Sequence, residues 1–312
     1  MNPLAREIFP LSTLFDEHPP RWNHHNKQAI FAAVAQAAHG LQGELGFSRW
    51  PTVPLPADLE FTTKVVALPN AFNYSVPAPG DFEWHVNFAD PELFGFYGSA
   101  LFAQDEWQVA EHPALGALRE ALLAKGIAAR TVEEGQATPV LITGVPRMCA
   151  IETGHIYGNL FARASIATVR AAATPLRPPT RTNIIAMAAP RGRGNYDAAT
   201  IELILRTAFT AFAAARAEST GATRVIVHTG FWGCGAFGGN RTLMAALQLV
   251  AACMAHIDRL DFHAMNAAGR QLCHAAEEML GNIAGGKVRI ETRQLIKSLV
   301  TRGFAWGISD GN

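Results

Sequence analysis

The stretch that decides the fold is TGFWGCGAFGGN, residues 229–240. An apolar run at residues 224–228 precedes it, and a strongly helical run at residues 241–250 follows it. This order predicts a strand, a glycine-rich loop and a helix. Glycines allow backbone angles with φ > 0 and let a ligand approach the chain closely. The start of the following helix offers unpaired N–H groups and the positive end of its dipole, so the loop is typical of an anion site, most often for phosphate. A tight strand–helix turn without a ligand is the alternative.

Composition limits the classes of partner. The chain has 312 residues, of which 49% are hydrophobic and 17% charged, so we expect one large α/β domain with additions, or two small domains. The 26 basic and 26 acidic residues give a formal net charge of zero. A neutral chain has no broad field for nucleic acid or an anionic membrane, and we expect neither as a partner.

Cysteine usage indicates a reducing compartment. No two of the four cysteines form a C-x-x-C pair, which argues against a zinc site and against a disulfide framework. The first residues lack the apolar core of a signal peptide. We therefore expect a cytoplasmic protein, although an effector exported by a dedicated machine would look the same. The sequence gives no indication of oligomeric state.

The N-terminal portion, residues 1–63, is predicted to be an arm and a helical cap on the main domain. Residues 1–25 contain four prolines and are expected to be irregular. Residues 26–40 are predicted to form a helix, and residues 41–63 a loop. Histidines on the arm have no carboxylate or cysteine at ligand spacing, so no metal is expected there.

The main domain, residues 64–312, alternates apolar runs with long helical patterns. Predicted strands lie at 64–69, 84–89, 140–144, 182–188, 224–228 and 260–263, and predicted helices at 114–125, 198–217, 266–280 and 292–300. Continuous apolar strands are expected where both faces of a sheet are covered, which predicts a sheet between helical layers. Ligands in such folds bind outside the carboxyl ends of the strands.

An acidic pair, Asp105 and Glu106, follows a second glycine-bearing loop at residues 93–100. Apolar neighbours surround the pair, and a carboxyl that is desolvated in this way has a raised pKa and can act as a general acid near neutral pH. The alternative is ordinary, because acidic residues are favoured in the first turn of a helix. Cys234 lies inside the first loop, and we interpret it as a small apolar filler rather than a nucleophile.

Two segments resemble one family. Residues 229–239 strongly resemble the diphosphate-binding loop of the poly(ADP-ribose) glycohydrolases, whose pattern reads TGxWGCGAFGG. Residues 86–106 align without a gap to the same family's signature, VDFANxxxGGG followed by QEE. Here these positions read VNFAD, FGF and QDE. The resemblance spans about residues 64–265.

The resemblance implies a macrodomain-like fold, three layers with a mixed sheet between helices, that binds ADP-ribose. It implies that Glu106 protonates the leaving ribose oxygen and then activates water against an oxocarbenium-like centre, with Asp105 orienting. No cofactor is implied. The resemblance places the other ligand-binding positions at Asn87, Asp90, Gly95, Gln104 on the adenine side, Phe209 over the ligand in place of a tyrosine, and Gly233, Cys234, Gly235, Ala236, Phe237 and Gly238 around the diphosphate.

The departures from the family pattern concentrate at the glycosidic centre. Phe94 and Phe96 stand where the family has glycines, Asp90 replaces an asparagine, and Asp105 replaces a glutamate. Three hypotheses follow, in this order. The first is an ADP-ribosyl glycohydrolase acting on a modified protein or a short polymer. The second is a non-catalytic ADP-ribose or nucleotide-diphosphate binding module. The third is a hydrolase of another nucleotide-linked substrate, reshaped by the two phenylalanines.

Overall fold

The computed structural model describes residues 1–38 and 40–310. The strands are β1 Ala5–Pro10, β2 Glu44–Arg49, β3 Asp58–Glu60, β4 Lys64–Leu68, β5 Asp81–Ala89, β6 Val132–Glu133, β7 Gln136–Ala137, β8 Val140–Ile151, β9 Ala173–Ala188, β10 Arg224–Gly230, β11 Arg259–His263 and β12 Arg289–Glu291. The helices are α1 Leu11–Glu17, α2 His25–Ala32, α3 Ala35–Ala38, α4 Gln104–Glu111, α5 Pro113–Ala124, α6 Asn159–Arg163, α7 Ile166–Ala172, α8 Ala198–Glu218, α9 Arg241–Met254, α10 Ala267–Ala284 and α11 Thr292–Val300.

Eight strands form one mixed sheet in the order β1-β2-β8-β9-β5-β10-β11-β4. The strands β9, β5, β10, β11 and β4 run parallel to their neighbours, whereas β1, β2 and β8 are joined by antiparallel pairing that reaches β9. Parallel neighbours place their carboxyl ends at one edge of the sheet, and β5 and β10 are adjacent in its centre. The two glycine loops that follow β5 and β10 are therefore brought together.

Alternation along β5 separates the two faces of the sheet. Trp84 and Val86 point into a core shared with α8, α9, α10 and α11. Ala89 belongs to the opposite core, which is shared with α1, α2, α4 and α5. Helices thus cover both faces, and the predicted three-layer α/β/α fold with a mixed sheet is confirmed.

The longest helix, α8, is long and apolar enough to cross a membrane by length and composition. Most of its apolar window is buried inside the protein, where it packs on the sheet and on α9. Burial in the core accounts for its composition, as for the central helix of other folded domains.

The N-terminal portion differs from the prediction. Residues 1–25 are not irregular, because β1 and α1 form there, and the predicted loop at 41–63 contains β2 and β3. Pro10 ends β1 and is the N-cap of α1, with φ −64°, so this proline interrupts neither element. The predicted helix at 26–40 is broken into α2 and α3, and residue 39 lies outside the described residues. The division at residue 63 stays a prediction, although β1 and β2 extend the sheet of the main domain.

Candidate active site

A cavity of about 270 Å³ opens at the carboxyl ends of the parallel strands. Its walls come mainly from three places: the loop after β4, the end of β5 with the start of α4, and the first glycine loop with the start of α9. Aromatic rings form much of the wall, namely Phe72, Phe88, Trp107, Tyr157, Phe231, Trp232 and Phe237. A concave, largely aromatic site with a few polar groups is typical of a small-molecule site.

The first glycine loop is held by close backbone contacts. Gly233 has φ +73°, and a Cβ there would meet the Cβ of Ala189 at 2.5 Å. Gly238 has φ +65°, and a Cβ there would meet the carbonyl oxygen of Gly307 at 2.8 Å. A side chain at either position would therefore displace neighbouring atoms as well as strain the backbone. Asn240 closes the loop as the N-cap of α9, because its side chain accepts a hydrogen bond from the Leu243 N–H at 3.1 Å.

The loop amides sort into used and unused donors. Within the described residues, the N–H groups of Gly233, Gly235, Ala236 and Phe237 have no hydrogen-bond acceptor, and all four residues line the cavity. The Gly238 N–H donates to the Gly235 carbonyl at 3.0 Å, and Gly238 does not line the cavity. The geometry therefore favours four of the five predicted diphosphate amides and disfavours the fifth, since the Gly238 donor is already satisfied inside the loop.

Cys234 lines the cavity in the middle of this loop. Its Sγ lies 3.6 Å from the Trp232 carbonyl oxygen, and burial raises the pKa of its thiol to about 12. A thiol in that state is a poor nucleophile. Its surroundings agree with the interpretation of Cys234 as a small apolar filler.

Asp105 is a carboxyl on the cavity wall, beside the start of α4. Its side chain is 5% exposed, and its Oδ1 accepts a hydrogen bond from the Asn87 Nδ2 at 3.0 Å. Burial first, and then the charge of Glu106, raise the pKa of Asp105 to about 8. Asp105 therefore keeps its proton at neutral pH and can donate it. Asn87 is fully buried behind it on β5 and reaches the cavity only through this hydrogen bond.

Glu106 does not line the cavity. It occupies the third position of α4, where its Oε2 accepts a hydrogen bond from the Ala103 N–H at 3.0 Å and so caps the helix. Burial raises the pKa of Glu106, while the charge of Lys27 and the capping N–H groups oppose that rise. The two predicted acidic residues are thus neighbours with different environments: Asp105 faces the cavity, and Glu106 faces the protein.

Gln104 lines the cavity and joins α4 to β5. Its Oε1 accepts from the Phe88 N–H at 2.7 Å, and its Nε2 donates to the Val86 carbonyl at 3.1 Å. Both ends of the amide are occupied by the backbone of β5. Gln104 therefore fixes the start of α4 against the sheet, which sets the position of Asp105.

The two phenylalanines of the second loop lie outside the cavity. Phe94 adopts φ +53° and its ring is fully buried in the core beneath α4 and α5. Phe96 is 47% exposed, and neither ring lines the cavity. Gly95 lies outside the lining as well, because a Cβ there would meet Glu92 rather than the cavity. The predicted ligand contact of Gly95 is not supported by this arrangement.

Two further predicted contacts lie away from the cavity. Asp90 is not among its lining residues, and its Oδ2 lies 3.9 Å from a guanidinium nitrogen of Arg191. Phe209, on α8, is buried in the core and does not line the cavity, so this arrangement does not support its predicted position over a ligand. The reason is that residue 209 faces the sheet on a helix whose apolar stripe is wide.

Arg241, Tyr157 and Asp310 are among the lining residues that were not predicted. Arg241 begins α9 beside the loop, where a basic side chain would complement an anion. Tyr157 and Asp310 come from segments that the sequence left as loop and tail. The C-terminal segment crosses the first loop, since the Gly307 N–H donates to the Gly238 carbonyl at 2.7 Å. Of these three residues, Arg241 carried a sequence signal, because a basic residue stands at a helix start where acidic residues are usual.

A buried histidine network lies beside the cavity. The Nδ1 of His263 lies 3.2 and 3.0 Å from the carbonyl oxygens of Asn70 and Ala71, so this nitrogen carries a proton. Its Nε2 lies 3.1 Å from the Nδ1 of His228, whose Nε2 lies 3.2 Å from the Oε2 of Glu83. Because the His263 Nδ1 carries a proton, its Nε2 accepts a hydrogen bond from the His228 Nδ1. The His228 Nε2 and the Glu83 carboxylate then share one proton between them.

The same network contains a candidate set of metal ligands, because atoms of Glu83, His85 and His228 lie within 4.8 Å of one another. The rings of His85 and His228 are stacked, with centroids 4.3 Å apart and an interplanar angle of 3°. A histidine ligates through a lone pair in the plane of its ring. Lone pairs in two parallel planes do not converge, so the arrangement does not fit a metal ion.

Comparison with known proteins gives one family. Residues 121–271 match the family model described as poly(ADP-ribose) glycohydrolase (PARG), macro domain fold. The match includes the first glycine loop and ends before α10 does. No curated protein matches the chain.

Two solved structures are similar to this chain at low sequence identity. Poly(ADP-ribose) glycohydrolase from Thermomonospora curvata, bound to the inhibitor ADP-HPD, is 17% identical, with a TM-score of 0.49 over 81% of this chain and 98% of that chain. Poly(ADP-ribose) glycohydrolase from Deinococcus radiodurans, in complex with ADP-ribose, is 12% identical, with a TM-score of 0.43 over 88% of this chain and 95% of that chain. The family match confirms the resemblance of the first glycine loop to the poly(ADP-ribose) glycohydrolases with the macro domain fold, whereas residues 86–106 lie outside the matched range.

Proposed function

We propose that this protein is an ADP-ribosyl glycohydrolase, which hydrolyses a ribose glycosidic bond of an ADP-ribosylated protein or a short polymer. The observation that carries the proposal is the shared cavity. A loop with four unused amides lies on one wall, and Asp105, a carboxyl that keeps its proton at neutral pH, lies on another. One element suits a diphosphate and the other suits a leaving oxygen.

The acidic pair supplies the acid–base chemistry. Hydrolysis of a glycosidic bond needs a proton for the leaving oxygen and then a base for the attacking water. The family resemblance assigns both roles to Glu106 and an orienting role to Asp105. The cavity geometry supports the opposite division, since Asp105 lines the cavity and Glu106 caps α4. In this division, the charge of Glu106 holds the proton on Asp105.

The experiment is release of free ADP-ribose from mono- and poly-ADP-ribosylated protein. We expect the wild-type protein to release it, and Asp105→Asn to lower the rate about 10²–10⁴-fold, the usual contribution of general acid catalysis. Glu106→Gln should also lower it and shift the pH optimum to lower pH, because Asp105 loses the neighbouring charge that holds its proton. Glu92→Gln, an exposed acidic residue outside the cavity, is the matched control and should leave the rate unchanged.

The two carboxyl variants also separate the assignments. If Glu106→Gln abolishes release while Asp105→Asn retains most of it, Glu106 is the acid/base as the resemblance implies. No release by the wild-type protein on any of these substrates would overturn the glycohydrolase proposal.

A non-catalytic ADP-ribose reader is the second candidate, and one observation favours it. The carboxyl that matches the catalytic glutamate of the family is engaged in a helix cap. A reader binds ADP-ribose in calorimetry and releases none from modified protein. A different nucleotide-linked substrate has less support, because Phe94 and Phe96 do not line the cavity.

The partner class follows from the same proposal: ADP-ribose or an ADP-ribosylated protein. For location we propose the cytoplasm. All four cysteines are free thiols, which suits a reducing compartment. Export by a dedicated machine is compatible with the same thiols.

A further inference from the structure

A lysine of the N-terminal segment lies buried on α2, which packs against α4, the helix that carries the acidic pair. Lys27, on α2, is 1% exposed, and it belongs to a part of the chain outside the family match at residues 121–271. We propose that Lys27 is a positioning residue of the acidic pair: its ammonium is the fixed counter-charge that keeps Glu106 as the carboxylate and leaves the proton on Asp105. The consequence for catalysis rests on the proposed function, whereas the charge states themselves do not.

The N-terminal segment docks directly on the second glycine loop. The N–H groups of Asn23 and His24 both donate to the Gly98 carbonyl at 2.9 Å. A Cβ at Gly98 would lie 2.1 Å from the Arg21 carbonyl oxygen, so the close approach of the two chains needs glycine there. This contact aims α2 at the start of α4.

The ammonium is fixed on several sides. The Lys27 Nζ donates to the Tyr97 carbonyl at 2.6 Å. It lies 5.3 Å from the ring centroid of Phe102 and 5.6 Å from that of Phe161, and these two rings stack on each other. Carbonyl and ring faces suit a cation but do not neutralise it. A fully buried lysine therefore needs a carboxylate nearby.

The acidic pair supplies that carboxylate. Burial lowers the pKa of Lys27 to about 8, and the charges of Glu106, and then Asp105, work against this shift. In return, the Lys27 charge opposes the rise in the pKa of both carboxyls. Glu106 also accepts the capping N–H of Ala103, which favours its ionised form, so the single negative charge settles on Glu106.

Few other charges act on this group. On its own element, the histidine ring of His24 lies at the N-cap of α2, and the Lys27 charge lowers the pKa of that ring. Asp90, after β5, adds negative charge near both carboxyls. Tyr157 lies close enough to Glu106 for that charge to raise its pKa, and it stays neutral below pH 12. Among these groups, Lys27 is the buried cation.

The test is titration of the two carboxyls by ¹³C NMR in the full-length wild-type protein and in the variant Lys27→Met. This substitution keeps a long, unbranched side chain and removes its charge. Removing a positive charge disfavours carboxylates, so both apparent pKa values of the pair should rise by about one unit. Where glycohydrolase turnover is present, its pH profile should move up by a similar amount. Unchanged titrations in a folded Lys27→Met protein would overturn the proposal.

The matched control is Lys125→Met. Lys125 also places its ammonium over a ring, 4.9 Å from the centroid of Phe9, but its charge is not among those that shift the pKa of either carboxyl. This variant should leave the carboxyl titrations unchanged. A shift of the same size in Lys125→Met would show that any lost lysine perturbs the pair, and would also overturn the proposal.

A second measurement covers the case in which Lys27→Met fails to fold. The Lys27 Cε resonance is titrated in the wild-type protein and in the double variant Asp105→Asn, Glu106→Gln, which keeps the shapes and removes both carboxyls. The pKa of Lys27 should fall by about one unit, since its counter-charge is gone. An unchanged value would overturn the proposal. These titrations need no turnover, so an inactive protein would refute the glycohydrolase function and leave the role of Lys27 standing.

Discussion

The two glycine-bearing loops, one after β5 and one after β10, hold unusual backbone in different ways. In the first loop, Gly233 has φ +73° and no room for a Cβ, because Ala189 lies in its place. In the second loop, Phe94 adopts φ +53° with a full side chain, and its ring is buried in the adjoining core. A left-handed phenylalanine costs on the order of 1–3 kcal/mol, which burial of the ring offsets. A glycine in such a loop can thus be replaced by a larger residue when the new side chain packs into the adjoining core and does not enter the cavity.

The largest expected effect is at the replaced position. Phe94→Ala should destabilise the protein by about 3–5 kcal/mol, because it leaves a cavity in the core and keeps the strained backbone. Urea unfolding at constant pH measures this. ADP-ribose affinity should stay unchanged where the variant is folded, since the ring does not line the cavity. A large loss of affinity without a loss of stability would show that the ring reaches the ligand after all.

The acidic start of α4 should make stability depend on pH. The pKa of Asp105 is raised in the folded protein to about 8, so its contribution favours folding below its unfolded pKa and is lost as pH rises through about 8. Asp105→Asn does not titrate there. Between pH 5 and pH 9 its free energy of unfolding should therefore fall less than that of the wild-type protein, by on the order of 4 kcal/mol. Equal slopes in denaturant titrations at several pH values would contradict the raised pKa.

The first loop should be sensitive in binding rather than in stability. Gly235→Ala places a methyl group beside a loop amide, and the nearest neighbour of that methyl is the end of the Asp310 side chain, 3.0 Å from the Cβ. We expect about tenfold weaker binding of ADP-ribose in calorimetry, or about 1.4 kcal/mol, with little change in melting temperature. Gly154→Ala, whose Cβ would have no neighbour within 4 Å, is the matched control. Equal ADP-ribose affinities for Gly235→Ala and Gly154→Ala would show that the first loop does not bind the diphosphate.

The smallest effect should be at the outward-facing ring. Phe96→Ala, at a side chain 47% exposed, should change the free energy of unfolding by less than about 0.5 kcal/mol. ADP-ribose affinity should also stay within experimental error. A clear gain in affinity would mean that Phe96 obstructs the ligand, and the contrast with Phe94 would then need another cause.

Much of the fold follows from local pattern. The predicted strands at 64–69 and 260–263 and the predicted helix at 198–217 coincide with β4, β11 and α8 to within a few residues. Burial in the sheet and against it sets the apolar periodicity of these elements, and this periodicity can be read from a single sequence. The strands β1 and β2 were missed because each is defined by a partner distant in sequence, and prolines near them suggested loop.

The site was predictable where its chemistry is local. The first loop and the pair Asp105 and Glu106 could be identified because their residues are contiguous. Lys27 could not, because only tertiary packing brings α2 to the site. Arg241 directly follows the first loop in sequence, and its basic side chain at a helix start was a signal that the prediction did not use. The sequence also could not show that Glu106 caps its own helix, since that depends on a rotamer and not on residue type.

The central position of β5 has a consequence for folding. This strand pairs with β9 and β10, both of which lie far later in the chain, and with no neighbour in sequence. Such non-local parallel pairing has a high contact order. Closing the long intervening chain segments costs conformational entropy before the stabilising contacts between the strands form. The ligand cavity is built on these same strand ends. We therefore expect it to be absent from early folding intermediates and to form only in the slow, late step that completes the sheet.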